Sequence, residues 1–232
     1  MLLISSAIFY AGNRIYGAGQ SQNTDMKARA AADVKVAALT FHDGPKAGTT
    51  DVLLDGLKER NIKATFFLIG MQVKGNEAIV EQMYRDGHQI GNHTFEHVNL
   101  KDYSEDGQKC QLLLCNEAVS RVIGREPHFI RPPFGEISGS LKSWVSAPII
   151  MWSVDTKDWT GKSASDIADY IVKNIQPGDI VLLHDIYKES VRGALMAADT
   201  LKKQGYEFVT VEELFECYDI PLENGKVYKK TY

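Results

Sequence analysis

Two short stretches hold the side chains best suited to chemistry. "HTFEH", His93 to His97, carries two imidazoles four residues apart, and "FHDGP", residues 41–45, sets His42 beside Asp43. Two histidines at that spacing can share one metal ion if the chain between them is helical or turns tightly. A carboxylate from elsewhere would supply a third ligand and leave a position open for water. Taken singly, the histidine pair reads as the polar face of a helix, and Asp43 as a turn residue beside Gly44. Brought together at neighbouring strand ends, Asp43, His93 and His97 become a His-His-Asp metal site. Two imidazoles and one carboxylate suit zinc, and cobalt, nickel or iron are compatible with the same ligand types.

Elements able to bring those residues together are visible from residue 34 onward. Apolar runs rich in β-branched and aromatic residues recur: "VKVAALTF", "ATFFLIG", "HQIGN", "HFIRP", "PIIMWSV", "DIVLLH" and "YEFVTV". Their nearly continuous hydrophobicity suits strands covered on both faces. Between them lie amphipathic helical patterns with Ser or Thr starts and Gly ends, such as "SEDGQKCQLLLCNEAVSRVIG", closing on Gly124. Alternation of strand and helix predicts parallel strands joined by right-handed crossovers. The expected fold is α/β, a distorted or incomplete (β/α) barrel of about seven parallel strands, with an open doubly wound sheet as the competitor. No Gly-rich phosphate fingerprint follows the first strand, which argues against a nucleotide-binding sheet. In such barrels chemistry gathers at the carboxyl ends of strands. His42 and Asp43, His93 and His97, Arg131, Asp155 and Asp158, and His184 and Asp185 all fall at expected strand ends.

The 26 basic and 30 acidic residues leave a formal charge of only −4, so no basic excess points to nucleic acid. Residues 1–32 are set apart from the barrel: "MLLISSAIFYAG" is apolar but shorter than the roughly 20 residues a membrane span needs. It reads either as the remnant of an anchor or signal segment or as an amphipathic helix packed on the domain. The domain itself is expected over 33–222, followed by a tail over 223–232. Cys110, Cys115 and Cys217 make an odd set and read as buried thiols rather than a disulfide.

The motifs together resemble those of the polysaccharide deacetylase family, the metal-dependent carbohydrate esterases that share the NodB homology domain. "TFHDGP" resembles the family's first motif, usually Thr-Phe-Asp-Asp-Gly-Pro; "HTFEH" is similar to the second, "RPPFG" to the third, "WSVDTKDW" to the fourth and "LLHD" to the fifth. The order agrees, and so do the connecting phrases "KATFFLIG", "DGHQIGNH" and "GYEFVTVEEL", over about residues 34–216.

The resemblance implies removal of acetyl groups from a sugar polymer, most often from an N-acetylated hexosamine, by a metal-activated water. It implies Asp43, His93 and His97 as metal ligands, with zinc the first expectation. Phe134 would present its N–H to the oxyanion, and His184, held by Asp158, would be the general acid. Arg131 would brace the catalytic base, and Trp159 and Leu182 would shape the acetyl pocket. Peptidoglycan is the first expected glycan, with chitin fragments and acetylated hemicellulose as alternatives; an extracellular or cell-surface enzyme, secreted or anchored through its N-terminal segment, would meet it.

One position departs from the pattern: His42 stands where the family has its catalytic aspartate. A neutral imidazole can still accept a proton, but Arg131 would then lack a carboxylate partner, and a ring that bound the metal itself would block the water position. The alternative to an active deacetylase is therefore a catalytically impaired homologue that keeps the metal and the groove and binds carbohydrate.

Overall fold

The computed structural model describes residues 35–232; the apolar segment and linker expected over 1–32 lie outside them. The apolar run after residue 34 forms β1 (Lys35–His42), and only its first residue is exposed. It is followed by α1 (Thr50–Glu59), β2 (Thr65–Leu68), a single turn α2 (Gly70–Val73), α3 (Glu77–Arg85) and β3 (Gln89–Asn92). The second half contains α4 (Glu105–Ile123), α5 (Leu141–Trp144), β4 (Ile149–Ile150), β5 (Val154–Asp155), α6 (Ala164–Asn174) and β6 (Ile180–His184). It closes with α7 (Lys188–Lys203), β7 (Tyr206–Phe208), α8 (Val211–Cys217) and β8 (Val227–Tyr228).

Helix boundaries follow the capping residues. The Ser104 hydroxyl accepts from the Gly107 N–H at the start of α4, and Gly124, with φ 72°, ends that helix in the left-handed conformation that glycine tolerates best. Ser163 caps α6, and Thr210 with Glu213 closes a capping box on α8.

The strands run parallel in the order β3-β2-β1-β6-β5, with β7 added beside the first residues of β1. Beyond β3 the ladder thins to single bridges. Asn92 pairs Ile130, and Ile130 pairs Ile149 of β4. Four residues after β4 the same run of chain re-enters the sheet as β5, against β6. The sheet is thus a distorted, incompletely closed barrel in which Ile130 alone links β3 to β4.

Two expected strands are accordingly reduced, for local reasons. "HFIRP" contributes only Ile130, because Pro132 and Pro133 have no N–H to extend the ladder. "PIIMWSV" is split because the Arg131 guanidinium takes the carbonyls of Ile150 and Met151. Residues 223–232, set apart in the sequence as a tail, supply β8, which pairs β4, and Lys230 bridges Asp179. Cys115 and Cys217 are buried, whereas Cys110 is exposed rather than buried as expected, because it lies on the outer face of α4. Among the described residues no helix is long and apolar enough to cross a membrane.

Side-chain alternation decides which residues can meet. Along β1, Ala37, Leu39 and Phe41 join the large core cluster under the helices, while Val36 and Ala38 join the cluster inside the barrel. The period of two then turns Thr40 and His42 inward as well. β6 repeats the pattern, with Val181 and Leu183 toward the helices and Ile180 inward, so Leu182 and His184 follow Ile180. Register pairs His42 with His184 across β1 and β6.

Candidate active site

Strand alternation and three tight loops bring the polar residues to one mouth. After His42 closes β1, Asp43 takes the left-handed conformation (φ 73°) and swings its carboxylate back over the barrel. Gly44 follows because there is no room for anything larger: a Cβ there would lie 2.0 Å from an Asp185 carboxylate oxygen. That carboxylate accepts from the Gly44 N–H at 3.1 Å and from the Thr50 hydroxyl at 2.5 Å, so Asp185 pins the loop that carries Asp43. Burial pushes the Asp185 carboxyl up to about 6. "HTFEH" is an irregular turn rather than a helix, with Thr94 and His97 at φ 67° and 56°. Phe134, at φ 60°, lies in the "RPPFG" loop opposite. Left-handed non-glycine residues cost energy, and here three of them, Asp43, His97 and Phe134, line one cavity.

The Asp43 carboxylate is the centre of the cluster. Its Oδ1 lies 3.3 Å from His93 Nε2, 3.3 Å from His97 Nε2 and 4.0 Å from His42 Nε2. Its Oδ2 lies 3.8 Å from His184 Nε2. His93 Nδ1 meets the Arg131 carbonyl oxygen at 2.6 Å, which fixes the tautomer: Nδ1–H donates and Nε2 keeps its lone pair. Asp43 Oδ1 and His93 Nε2 are both buried and have no hydrogen-bond partner. Two electron-rich atoms this close are stable neighbours only with a proton or a cation between them. Metal–ligand bonds of about 2.0–2.2 Å would leave ligand atoms separated by about this much. Ligand atoms of His42, Asp43 and His93 all lie within 4.8 Å of one another. The residues present therefore fit a divalent cation. Burial opposes the Asp43 charge, but His93 and His97 outweigh it and hold the carboxyl well below the usual carboxylate range.

Two histidines beside this cluster occupy opposite electrostatic settings. His42 and His184 stand edge to face, 4.0 Å between ring centroids. His184 Nδ1 meets Asp158 Oδ1 at 2.7 Å, and the His184 backbone N–H donates to the other Asp158 oxygen at 2.8 Å. Burial disfavours charge on His184, but Asp158 more than offsets it and raises the imidazole above its ordinary value. His42 has no such partner. Burial, then the nearby His93 and His184 rings, drive it well below the ordinary histidine value, and its Nδ1 is buried without a partner.

Arg131 is 1% exposed and lies inside the barrel. Its guanidinium donates to the carbonyls of Ile150 and Met151 and, at 2.9 Å, to the Thr40 hydroxyl, and stacks 4.2 Å over the Phe67 ring. No carboxylate neutralises it among the described residues, and burial lowers its pKa to about 9.

A cavity of about 460 Å³ opens over the cluster. His42, Asp43, His93, His97, Arg131 and His184 line it, as do Phe134, Trp159 and Leu182; Asp158 stands behind His184. Phe134 and Trp159 are 64% and 58% exposed, whereas Leu182 is buried at the floor. Asp155 also reaches the cavity, while its Oδ1 accepts from the Lys157 N–H at 3.0 Å. Trp152 and Tyr187 were not foreseen as part of this wall. Tyr187 follows "LLHD" by two residues, so its nearness to that motif is the sequence signal that marks it.

Residues 29–147 match the family described as polysaccharide deacetylase. The chain belongs to that family. The peptidoglycan-N-acetylglucosamine deacetylase PgdA of Listeria monocytogenes is 39% identical over 191 residues, which are 82% of this chain and 40% of that protein. A peptidoglycan-N-acetylglucosamine deacetylase of Bacillus cereus is 40% identical over 186 residues, 77% of this chain and 68% of that protein. This chain thus spans about two fifths of the length of the Listeria relative. Among solved structures, the family 4 acetyl xylan esterase of Clostridium thermocellum, in complex with a cobalt ion, superposes with a TM-score of 0.81 at 32% identity. That match covers 84% of this chain and 98% of the esterase.

Proposed function

We propose that this chain is a metal-dependent polysaccharide deacetylase that hydrolyses N-acetyl groups of a cell-wall glycan, with the N-acetylglucosamine of peptidoglycan as substrate. The observation that carries the reading is the pair of histidine nitrogens, each 3.3 Å from one Asp43 oxygen, in a cluster whose buried atoms lack partners. Asp43, His93 and His97 are the ligands, and zinc suits this donor set best. When bound, the cation acidifies a water and polarises the acetyl carbonyl.

The chain's own residues divide the proton work by environment. Buried and uncharged, His42 is free to accept a proton at Nε2, the nitrogen that faces Asp43. His184, charged through Asp158, keeps Nε2 toward the cavity and gives its proton to the departing amine. Neighbouring titratable groups pushed in opposite directions are the usual mark of a base and an acid. The Phe134 N–H supports the oxyanion, and Leu182 and Trp159 enclose the acetyl methyl. The relatives' substrate supports a location outside the cell or at its surface, where peptidoglycan is met.

The decisive experiment measures acetate released from peptidoglycan glycan strands and from N-acetylglucosamine oligomers, with a metal-stripped control. Release above that control is expected, and none from either glycan would end the hydrolytic reading. The second reading, a binding-only homologue, is favoured by one observation: the buried Arg131 charge has no carboxylate where the family places its base.

The pH dependence follows from the acid. Because the folded value of His184 is raised, its proton is held up to that value and lost above it, so activity falls on the alkaline side. The stabilisation from its pair with Asp158 is likewise complete below the unfolded histidine value of about 6.5 and disappears as pH climbs through the folded one. In Asp158→Asn burial is opposed only by the smaller effects of Asp43 and Asp185, and the alkaline limb of kcat/KM is expected to move to lower pH. An unmoved limb would assign it to another group.

A further inference from the structure

The cavity does not end at the acetyl pocket. Trp159 and Tyr187, the latter 41% exposed, also line a second groove of about 610 Å³ on the far side of the aromatic pair. Three lysines border this groove: Lys46 after β1, Lys162 before α6 and Lys188 at the first position of α7. Among the described residues, none of the three ammonium groups lies within ion-pair distance of a carboxylate. Lys46 Nζ donates to the Ile186 carbonyl at 3.2 Å, and Lys162 Nζ donates to that of Thr156 at 2.7 Å and sits over the Tyr170 ring. The acids that line the groove are engaged elsewhere. Glu189 accepts from the Ala164 N–H at 3.0 Å and pairs with Arg192 at 3.0 Å, and Asp158 holds His184.

The 16-residue helix α7 opens at the groove with no side-chain cap on its N-terminus, adding partial positive charge there. A protein of formal charge −4 thus keeps uncompensated positive charge beside its reactive centre. The aromatic pair offers faces for sugar rings between the two cavities.

We propose that this groove is a subsite for a carboxylate-bearing sugar next to the one that loses its acetyl group. The substrate is then a glycan in which acetamido sugars alternate with, or adjoin, acidic sugars, and not a neutral homopolymer. This deepens the deacetylase reading and rests on it for the reaction, though not for the binding. Two glycan chemistries supply such a group: a lactyl ether on an amino sugar, as in peptidoglycan strands free of stem peptide, and a uronic acid.

The test compares four-sugar strands of peptidoglycan glycan with the same strands after reduction of their lactyl carboxylates to alcohols. A third arm uses strands of alternating glucuronic acid and N-acetylglucosamine, and a fourth neutral chitotetraose. Binding to the metal-loaded protein is followed by tryptophan fluorescence, and KM and kcat by acetate release. One or both acidic strands are expected to bind at least about fivefold tighter than the reduced strand, a preference that fades at high salt; the arm that does so identifies the source. The double variant Lys46→Gln, Lys188→Gln is expected to lose that preference through KM, with kcat and chitotetraose turnover unchanged. Equal binding of acidic and reduced strands, or equal loss on all strands in the variant, overturns the subsite. Absence of acetate from every strand would sink the deacetylase reading while the fluorescence comparison still decides the groove.

Discussion

His93→Ala is expected to lose its divalent cation and to release acetate no faster than metal-stripped protein. His93 is buried and is held at both ends: Nδ1 by the Arg131 carbonyl and Nε2 by whatever lies between it and Asp43 Oδ1. Removing a residue that only orients a ligand costs 10–100-fold in metal affinity, so loss of a ligand should exceed about 100-fold. Metal content by mass spectrometry, together with circular dichroism, separates ligand loss from unfolding. If the truncated ring also loosens the fold, His97→Ala provides the same test from a half-exposed position, with His97 Nε2 equally close to Asp43. A full complement of tightly bound cation in both variants would show that the site lies elsewhere.

His42→Asp is expected to raise the deacetylation rate, on the order of 10²-fold if the imidazole is a weakened base. His42 is deprived of basicity by burial, by the two neighbouring imidazoles and by the Arg131 charge. A carboxylate at this position would be favoured by that same charge, and Arg131 would gain the anionic partner it lacks. Its greater strength as a proton acceptor then follows from burial, which lowers the pKa of an imidazole but raises that of a carboxylate. Steady-state kcat on peptidoglycan strands is the measurement. An unchanged or lower rate would show that the cavity has adapted around the ring, and that position 42 performs the base function as histidine.

Much of this site is legible in the chain because its motifs lie at breaks in hydrophobic runs. "HDGP" interrupts β1, "HTFEH" follows β3 and "LLHD" ends β6, so the topology of a parallel barrel suffices to bring them to one end. Less legible are the places where tertiary contacts overrule local pattern. "PIIMWSV" has the composition of one strand, yet a guanidinium from the preceding loop claims its carbonyls and divides it. The last ten residues look like a tail, yet Val227 and Tyr228 find a free strand edge at β4.

Residue types and their order settled by themselves the fold class and the family, and they named the polar residues that the fold gathers around one cavity. Alternation along β1 and β6 even dictated that His42, Leu182 and His184 share the inner face. Only the folded structure decided what each group experiences there: that His184 has Asp158 behind it while His42 has nothing, that Arg131 is buried without an anion, and that a lysine-bordered groove continues past Trp159 and Tyr187. Those properties depend on desolvation and on separations of a few ångströms between residues far apart in the chain, which sequence spacing does not encode.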